Sequence, residues 1–183
     1  MRILGVDPGL NATGYGVIDA DAGTLRVVTA GVIRPPARQA LGQRLRMLYD
    51  VLTGVIAAER PALTILEAIY THHEYLNTAT LMGHARGVVC LASAQHGLPI
   101  VEYFPTHVKK AVTGHGGASK DQVARMVGTW LQTDTSTLAA DTTDALALAV
   151  AHAQLNRDAL LEAGGRRAPR RRTARKLQEI AVG

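Results

Sequence analysis

Two short apolar runs in this sequence end in carboxylates. The stretch "MRILGVDPG" leads Ile3, Leu4, Gly5 and Val6 straight into Asp7, and "ALTILEAIY" runs through Ile65 and Leu66 into Glu67. A third acidic feature, "AADTTDALALAVAH", opens an alanine-rich segment with Asp141 and Asp144. Their i, i+3 spacing sets both on one helix face, one turn apart. An unpaired carboxylate at the end of a buried strand costs several kcal/mol, so a proton, a cation or a metal must compensate it. Open α/β sheets place their sites at strand C-terminal ends. If the last helix starts there, four carboxylates converge, and they cannot all stay ionised without cations. All-oxygen ligation suits Mg²⁺ or Mn²⁺ rather than zinc. Two such ions about 3.5–4 Å apart clamp the attacking and leaving oxygens of phosphoryl transfer.

Each acid also has a plainer reading. Asp7 before Pro8-Gly9 is a turn residue. Asp141 is a helix N-cap and Asp144 a first-turn acid favoured by the helix dipole. Glu67 is a partner for an arginine such as Arg86. Small residues on the acidic helix, Ala145, Ala147, Ala149 and Ala151, favour close packing on a sheet.

The elements that would position these groups follow from pattern. Strands are expected at Arg2–Asp7, Gly14–Asp19 and Thr24–Arg34, with a hairpin turn at Asp21-Ala22-Gly23. Apolar residues at helical spacing from Ala37 to Glu59 predict a helix that ends at Arg60-Pro61. A strand through Glu67, a small-residue helix closed by Gly97 and a strand "LPIVEYF" follow. Pro105 opens a helix, and Ser119 with Gln122 forms a capping box that opens another, through about Trp130. The segment from Asp141 supplies the final helix. The order β-β-β-α-β-α-β-α-α-α implies a mixed sheet with helices on its faces, an α/β three-layer domain. The domain is expected over residues 1–156, with a basic, disordered tail over 157–183.

A chain of 183 residues with 47% apolar and 19% charged residues is ordinary for one globular domain. No apolar run reaches eighteen residues, so no membrane-spanning helix is expected. Cys90 stands alone, and the N-terminus lacks the pattern of a signal peptide. A cytoplasmic home is expected. The net charge of +5 is concentrated: "RRAPRRRTARK" at 166–176 holds seven basic residues and no acid. Setting those seven aside from 20 leaves 13 basic against 15 acidic residues. The tail therefore suggests contact with a polyanion.

In combination the motifs are specific. "ILGVDPGLNATGYGVI", "LEAIY", "GHARGVV", "VEYFPTHVKKAVTGHGGASKDQV" and "AADTTDALALAVAH" closely resemble the RuvC family of Holliday-junction resolvases over about residues 1–155. The resemblance implies an RNase H-like fold with a mixed five-stranded sheet and helices on both faces. It implies a crossover junction endodeoxyribonuclease that makes paired symmetric nicks in four-way junctions during recombination and repair. It implies a homodimer, partnership with the branch-migration motor of RuvA and RuvB, and Mg²⁺ (Mn²⁺ substituting), up to two ions per site. By position, Asp7, Glu67, Asp141 and Asp144 match the metal-binding acids, and Lys109 and Lys120 match lysines expected near the scissile phosphate. Tyr70 falls where an aromatic stacks on a junction base. Ala68 stands where the family often has Gln, and the segment from Tyr70 to Gly83 is about one residue longer than the family pattern.

Around the proposed site, Lys109, Lys110 and Lys120 flank a glycine-rich loop, and Ser119 starts a helix whose dipole favours anions. Tyr70 offers a stacking face or a packing residue. His72 and His73 are surface residues or ligands, His115 lies in the glycine-rich loop, and His152 reads as packing or support on the last helix. The small-residue helix around Cys90 suits a dimer interface or core packing equally. Two other functions remain open on residues alone: an actin-like kinase, for which the chain is short of a second lobe, and a non-catalytic binder in which the acids are caps.

Overall fold

The computed structural model describes residues 1–21, 23–68 and 76–165, with the side chains of 76–79 and 162–165 left aside. Its strands are β1 (Arg2–Asp7), β2 (Thr13–Asp21), β3 (Thr24–Ile33), β4 (Leu63–Glu67) and β5 (Ile100–Tyr103). They form one sheet in the order β3-β2-β1-β4-β5. The β1–β2 and β2–β3 pairs are antiparallel, and β1–β4 and β4–β5 are parallel. The helices are α1 (Leu41–Glu59), α2 (Leu76–Gln95), α3 (Pro105–Thr113), α4 (Lys120–Leu131), α5 (Ala140–Leu155) and α6 (Arg157–Gly165).

Two cores sandwich the sheet. On one face Ile3, Ile18, Leu63 and Ile65 pack with α3, α4 and α5; on the other Leu4, Val6, Val17 and Leu66 pack with α1 and α2. The period of two in each strand decides where the acids point. Ile3, Gly5 and Asp7 share a face, as do Leu63, Ile65 and Glu67. Because Gly5 pairs with Ile65 and Val6 with Leu66, the two acids end neighbouring parallel strands on the α5 side. The expected mixed sheet between helical layers is thus observed. Strand and helix limits differ from expectation by a few residues at most; α1 starts at Leu41 rather than Ala37, because residues 37–39 turn after the two prolines, with the Gln39 N–H donating to the Pro36 carbonyl at 3.0 Å.

Helix α5 touches the sheet backbone to backbone. A Cβ on Gly5 would lie 2.1 Å from the Ala145 carbonyl oxygen, and one on Gly14 would lie 1.8 Å from that of Asp141. Only hydrogen fits at either place. From Thr142 to Ala153 the helix is buried apart from Asp144, so its contact with β1 and β2 fixes its register. The loop after Asp7 is also held. Thr13 Oγ1 donates to the Gly9 carbonyl (2.7 Å), and Arg44 reaches the Leu10 carbonyl (3.0 Å) and Asn11 Oδ1 (2.8 Å). The tail expected to be disordered from residue 157 is instead helical at first: α6 continues the chain from Arg157 to Gly165 and packs Leu160 against the α5-side core. The basic stretch 166–176 lies outside the described residues.

A methyl group forced into the α5–sheet contact must displace backbone. Gly14→Ala is expected to lower unfolding free energy by about 3 kcal/mol, at the upper end for overpacking. Gly54→Ala in α1, where an added Cβ meets nothing within 4 Å, should raise it by about 0.5–1 kcal/mol. Urea denaturation at neutral pH compares the two, and equal midpoints would refute the packing account.

Candidate active site

Asp7 closes β1 opposite Gly14 of β2, and Glu67 closes β4 opposite Tyr103 of β5. Across from them stands the first turn of α5. Its N-cap is Ala139, which makes no side-chain cap, while Asp141 is already the second helical residue. Asp141 therefore does not cap the helix. Arg86, the plainer partner for Glu67, bonds the Glu67 backbone carbonyl (2.5 Å) and the Glu102 carboxylate (2.5 Å) instead. The Glu67 carboxylate is left facing a cavity of about 240 Å³, lined also by Asp7, Asp144, Lys109, Lys120 and Pro105. Asp141 stands one turn back from Asp144, outside that lining.

The electrostatics are those of crowded anions. Burial, then repulsion from Asp144, Glu67 and Asp141, pushes the Asp7 carboxyl up to about 6, with Lys120 opposing. Burial and Asp144 raise Glu67 too, against Lys120 and Lys109. Lys120 Nζ donates to Asp144 Oδ2 at 2.7 Å, and that bond raises the lysine's own pKa. On the opposite side Arg34 Nη2 lies 3.6 Å from Asp141 Oδ2. Both cations are well exposed, at 78% and 56% of their side chains, and are free to move when something else neutralises the acids. Among the described residues no three acids form a ready-made metal cage. Like charges hold one another apart, and two basic side chains draw the acids of α5 outward. The donor set nevertheless fits a hard divalent cation: oxygen atoms only, held by three different elements, with no cysteine or histidine among them.

Other expected residues fall elsewhere. Ser119 is engaged in the capping box of α4, accepting from the Gln122 backbone (3.2 Å) while Gln122 Oε1 accepts from the Ser119 backbone (2.8 Å). Lys110 is exposed on α3 and does not line the cavity. His115 lies in a separate hollow with Thr113, Gln122 and Arg125. His152 is buried behind the site, bonded to the Tyr103 hydroxyl at 2.8 Å, and burial lowers its pKa. That agrees with a packing or supporting role. Tyr70, His72, His73 and Tyr75 lie outside the described residues. Arg34 was not singled out by sequence; its signal was a lone cation at a strand end before two prolines.

The sequence model described as crossover junction endodeoxyribonuclease RuvC matches residues 3–152. The chain belongs to the RuvC family. It is 46% identical to the RuvC of Myxococcus xanthus over 87% of this chain and 84% of that one. It is 48% identical to that of Paramagnetospirillum magneticum over 84% and 91%. The structure of T. thermophilus RuvC in complex with Holliday junction substrate superposes with a TM-score of 0.81 at 29% identity, covering 87% of this chain and 97% of that one. The RuvC-family chain thus has the RNase H-like fold, and its activity is that of a crossover junction endodeoxyribonuclease, a metal-dependent hydrolase of phosphodiester bonds in four-way DNA junctions. The kinase and binder alternatives are thereby set aside.

Stability should report the crowding directly. The folded chain takes up the Asp7 proton near pH 6 and the unfolded chain near 3.8, so the folded state holds the extra proton between them. The metal-free protein should therefore lose stability as pH rises through that window, on the order of 2 kcal/mol. Urea midpoints measured with and without Mg²⁺ test this. Added Mg²⁺ should cancel the loss, and Asp7→Asn should flatten the profile.

Proposed function

We propose that Asp7, Glu67, Asp141 and Asp144 are the metal-binding acids of this RuvC-family endonuclease, with Lys109 and Lys120 serving the scissile phosphate. The observation that carries this is the convergence of Asp7, Glu67 and Asp144 from three elements on one cavity that also holds both lysines. Asp141 joins them from the same helix face, and its charge acts on Asp7. The cofactor is Mg²⁺, with Mn²⁺ able to substitute and up to two ions per site. Bound there, divalent metal supplies a nucleophile from water and polarises the phosphate.

The protein's own part is positioning and charge. The strand ends hold Asp7 and Glu67 still. Lys120, paired with Asp144 at 2.7 Å and 78% exposed, would be released toward the phosphate if Asp144 were taken up as a metal ligand. Lys109 reaches the same cavity from α3. Lys110 and Ser119 lie along the approach of the DNA strand, and Tyr70 provides a stacking face for a junction base. The arginine-rich tail adds sequence-independent attraction to phosphates.

Symmetric paired nicks in a four-way junction call for two matched sites, which a twofold homodimer supplies. The exposed face of α2 supports such an interface. Gly83, Gly87, Leu91 and Ala94 recur at four- and three-residue spacing and are all exposed, and Leu91 shows 52% of its surface. Among the described residues, a Cβ added at Gly83 or Gly87 would meet nothing within 4 Å. The remaining assignments, partnership with the RuvA–RuvB motor and action in the cytoplasm, rest on family membership. No described helix is long and apolar enough to cross a membrane.

Two variants test these readings. Asp7→Asn should reduce cleavage of a synthetic mobile junction by at least about 10²-fold in Mg²⁺, with junction affinity within a few-fold of the parent. Mapping products on all four strands checks it, and normal turnover would remove the metal-site assignment. Leu91→Glu should shift the chain to monomer in sedimentation and replace paired nicks by single ones. An unchanged dimer would move the interface off α2.

A further inference from the structure

The chain has one phenylalanine, Phe104, and 49% of it is exposed. It belongs to neither core. Its place is not a random surface point. The preceding residue, Tyr103, pairs with Glu67 in the sheet, and the following residue, Pro105, lines the acidic cavity. Phe104 therefore leaves the sheet one residue beyond the level of Glu67, next in the chain to a residue that lines the cavity, while its own ring stands outside that lining.

The ring is also held. Phe104 is the N-cap of α3, with extended backbone, and Pro105 fixes the first helical residue. Its carbonyl accepts the His107 backbone N–H at 2.9 Å. The His107 ring meets the Phe104 ring edge-on, with centroids 5.9 Å apart and planes at 89°. Two exposed rings thus brace each other. Lys110 follows three residues on along the same side of the helix, and Lys109 turns to the cavity. No acid occurs in Pro105–Thr113. An aromatic face flanked by cations matches a nucleobase with its phosphate.

We propose that Phe104, braced by His107, is a stacking platform for a nucleobase splayed from the junction beside the cut strand. The inference rests on the cavity being the cutting site, and it assigns a base-contacting role to residues that the acids and lysines leave unused. Where strands exchange at a four-way junction, a base that leaves its stack loses its neighbours' faces. An exposed aromatic ring one residue from the cavity lining replaces one of them and keeps the adjoining strand beside the acids. Stacking tolerates any base, so the platform adds junction selectivity without a sequence rule.

The test uses the whole 183-residue chain and junctions carrying 2-aminopurine next to the cut. Phe104→Ala should lower junction cutting at subsaturating protein by about 5- to 100-fold, and should leave the 2-aminopurine bright where the parent quenches it. Phe104→Trp should restore both, and duplex affinity should change less than twofold. If the parent chain cuts and Phe104→Ala cuts equally well, the platform is refuted and the cutting site stands. If the parent with its acids intact does not cut junctions, the cutting-site reading has failed instead. Loss of the dimer in Phe104→Ala, or equal weakening on duplex and junction, would also overturn the proposal.

Discussion

The close approach of α5 to the first two strands is the constraint on which the site depends. Gly5 and Gly14 remove the side chains that would keep helix and sheet apart, and the helix answers with alanines at its contact positions. The distance gained is set by backbone against backbone, so it cannot relax by a rotamer change. Asp144 is thereby brought to the cavity of Asp7 and Glu67, with Asp141 one turn behind it, and charges that would avoid one another in a flexible chain are forced together. Their mutual repulsion is balanced by the surrounding fold and, in the metal-free chain, by two basic side chains.

Those two cations divide the acids of α5 between them. Lys120 holds Asp144 and Arg34 holds Asp141, from opposite sides of the sheet's C-terminal end. Neither pair is deeply buried, so each is worth little to stability and is readily exchanged for a stronger cation. The α5 N-terminus lacks a side-chain cap although an aspartate lies two residues inside it. Half-buried, crowded acids, an uncapped helix and backbone contacts tolerant only of glycine are departures from what stability alone would choose, and such departures gather at functional sites.

Much of the framework was legible in the residues. The hairpin of β2 and β3 followed from Asp21-Ala22-Gly23, the end of α1 from Arg60-Pro61, and the start of α4 from Ser119 and Gln122. These are local signals, written within a few residues of the feature they determine. Asp7 and Glu67 stood out for a similar reason, because apolar strands that end in a carboxylate contradict their own pattern, and Asp141 and Asp144 stood out by their i, i+3 spacing. Arg34 did not, because a cation after a strand is common and its partner is more than a hundred residues away. Ser119 reads as a helix cap in the sequence and serves as one in the structure. Phe104 passed unnoticed within a strand pattern because only packing decides which aromatic is left outside.

By itself, then, the sequence determined the element types, the alternation that turns Asp7 and Glu67 to one face, and the helical spacing that aligns Asp141 with Asp144. Only the tertiary structure decided that these faces meet, that Arg86 leaves the Glu67 carboxylate free, and that Asp7 holds its proton to unusually high pH. The physical reason is range. Turn chemistry and side-chain periodicity act over a few bonds, whereas burial and electrostatic repulsion depend on which distant segments the packed cores bring within a few ångströms.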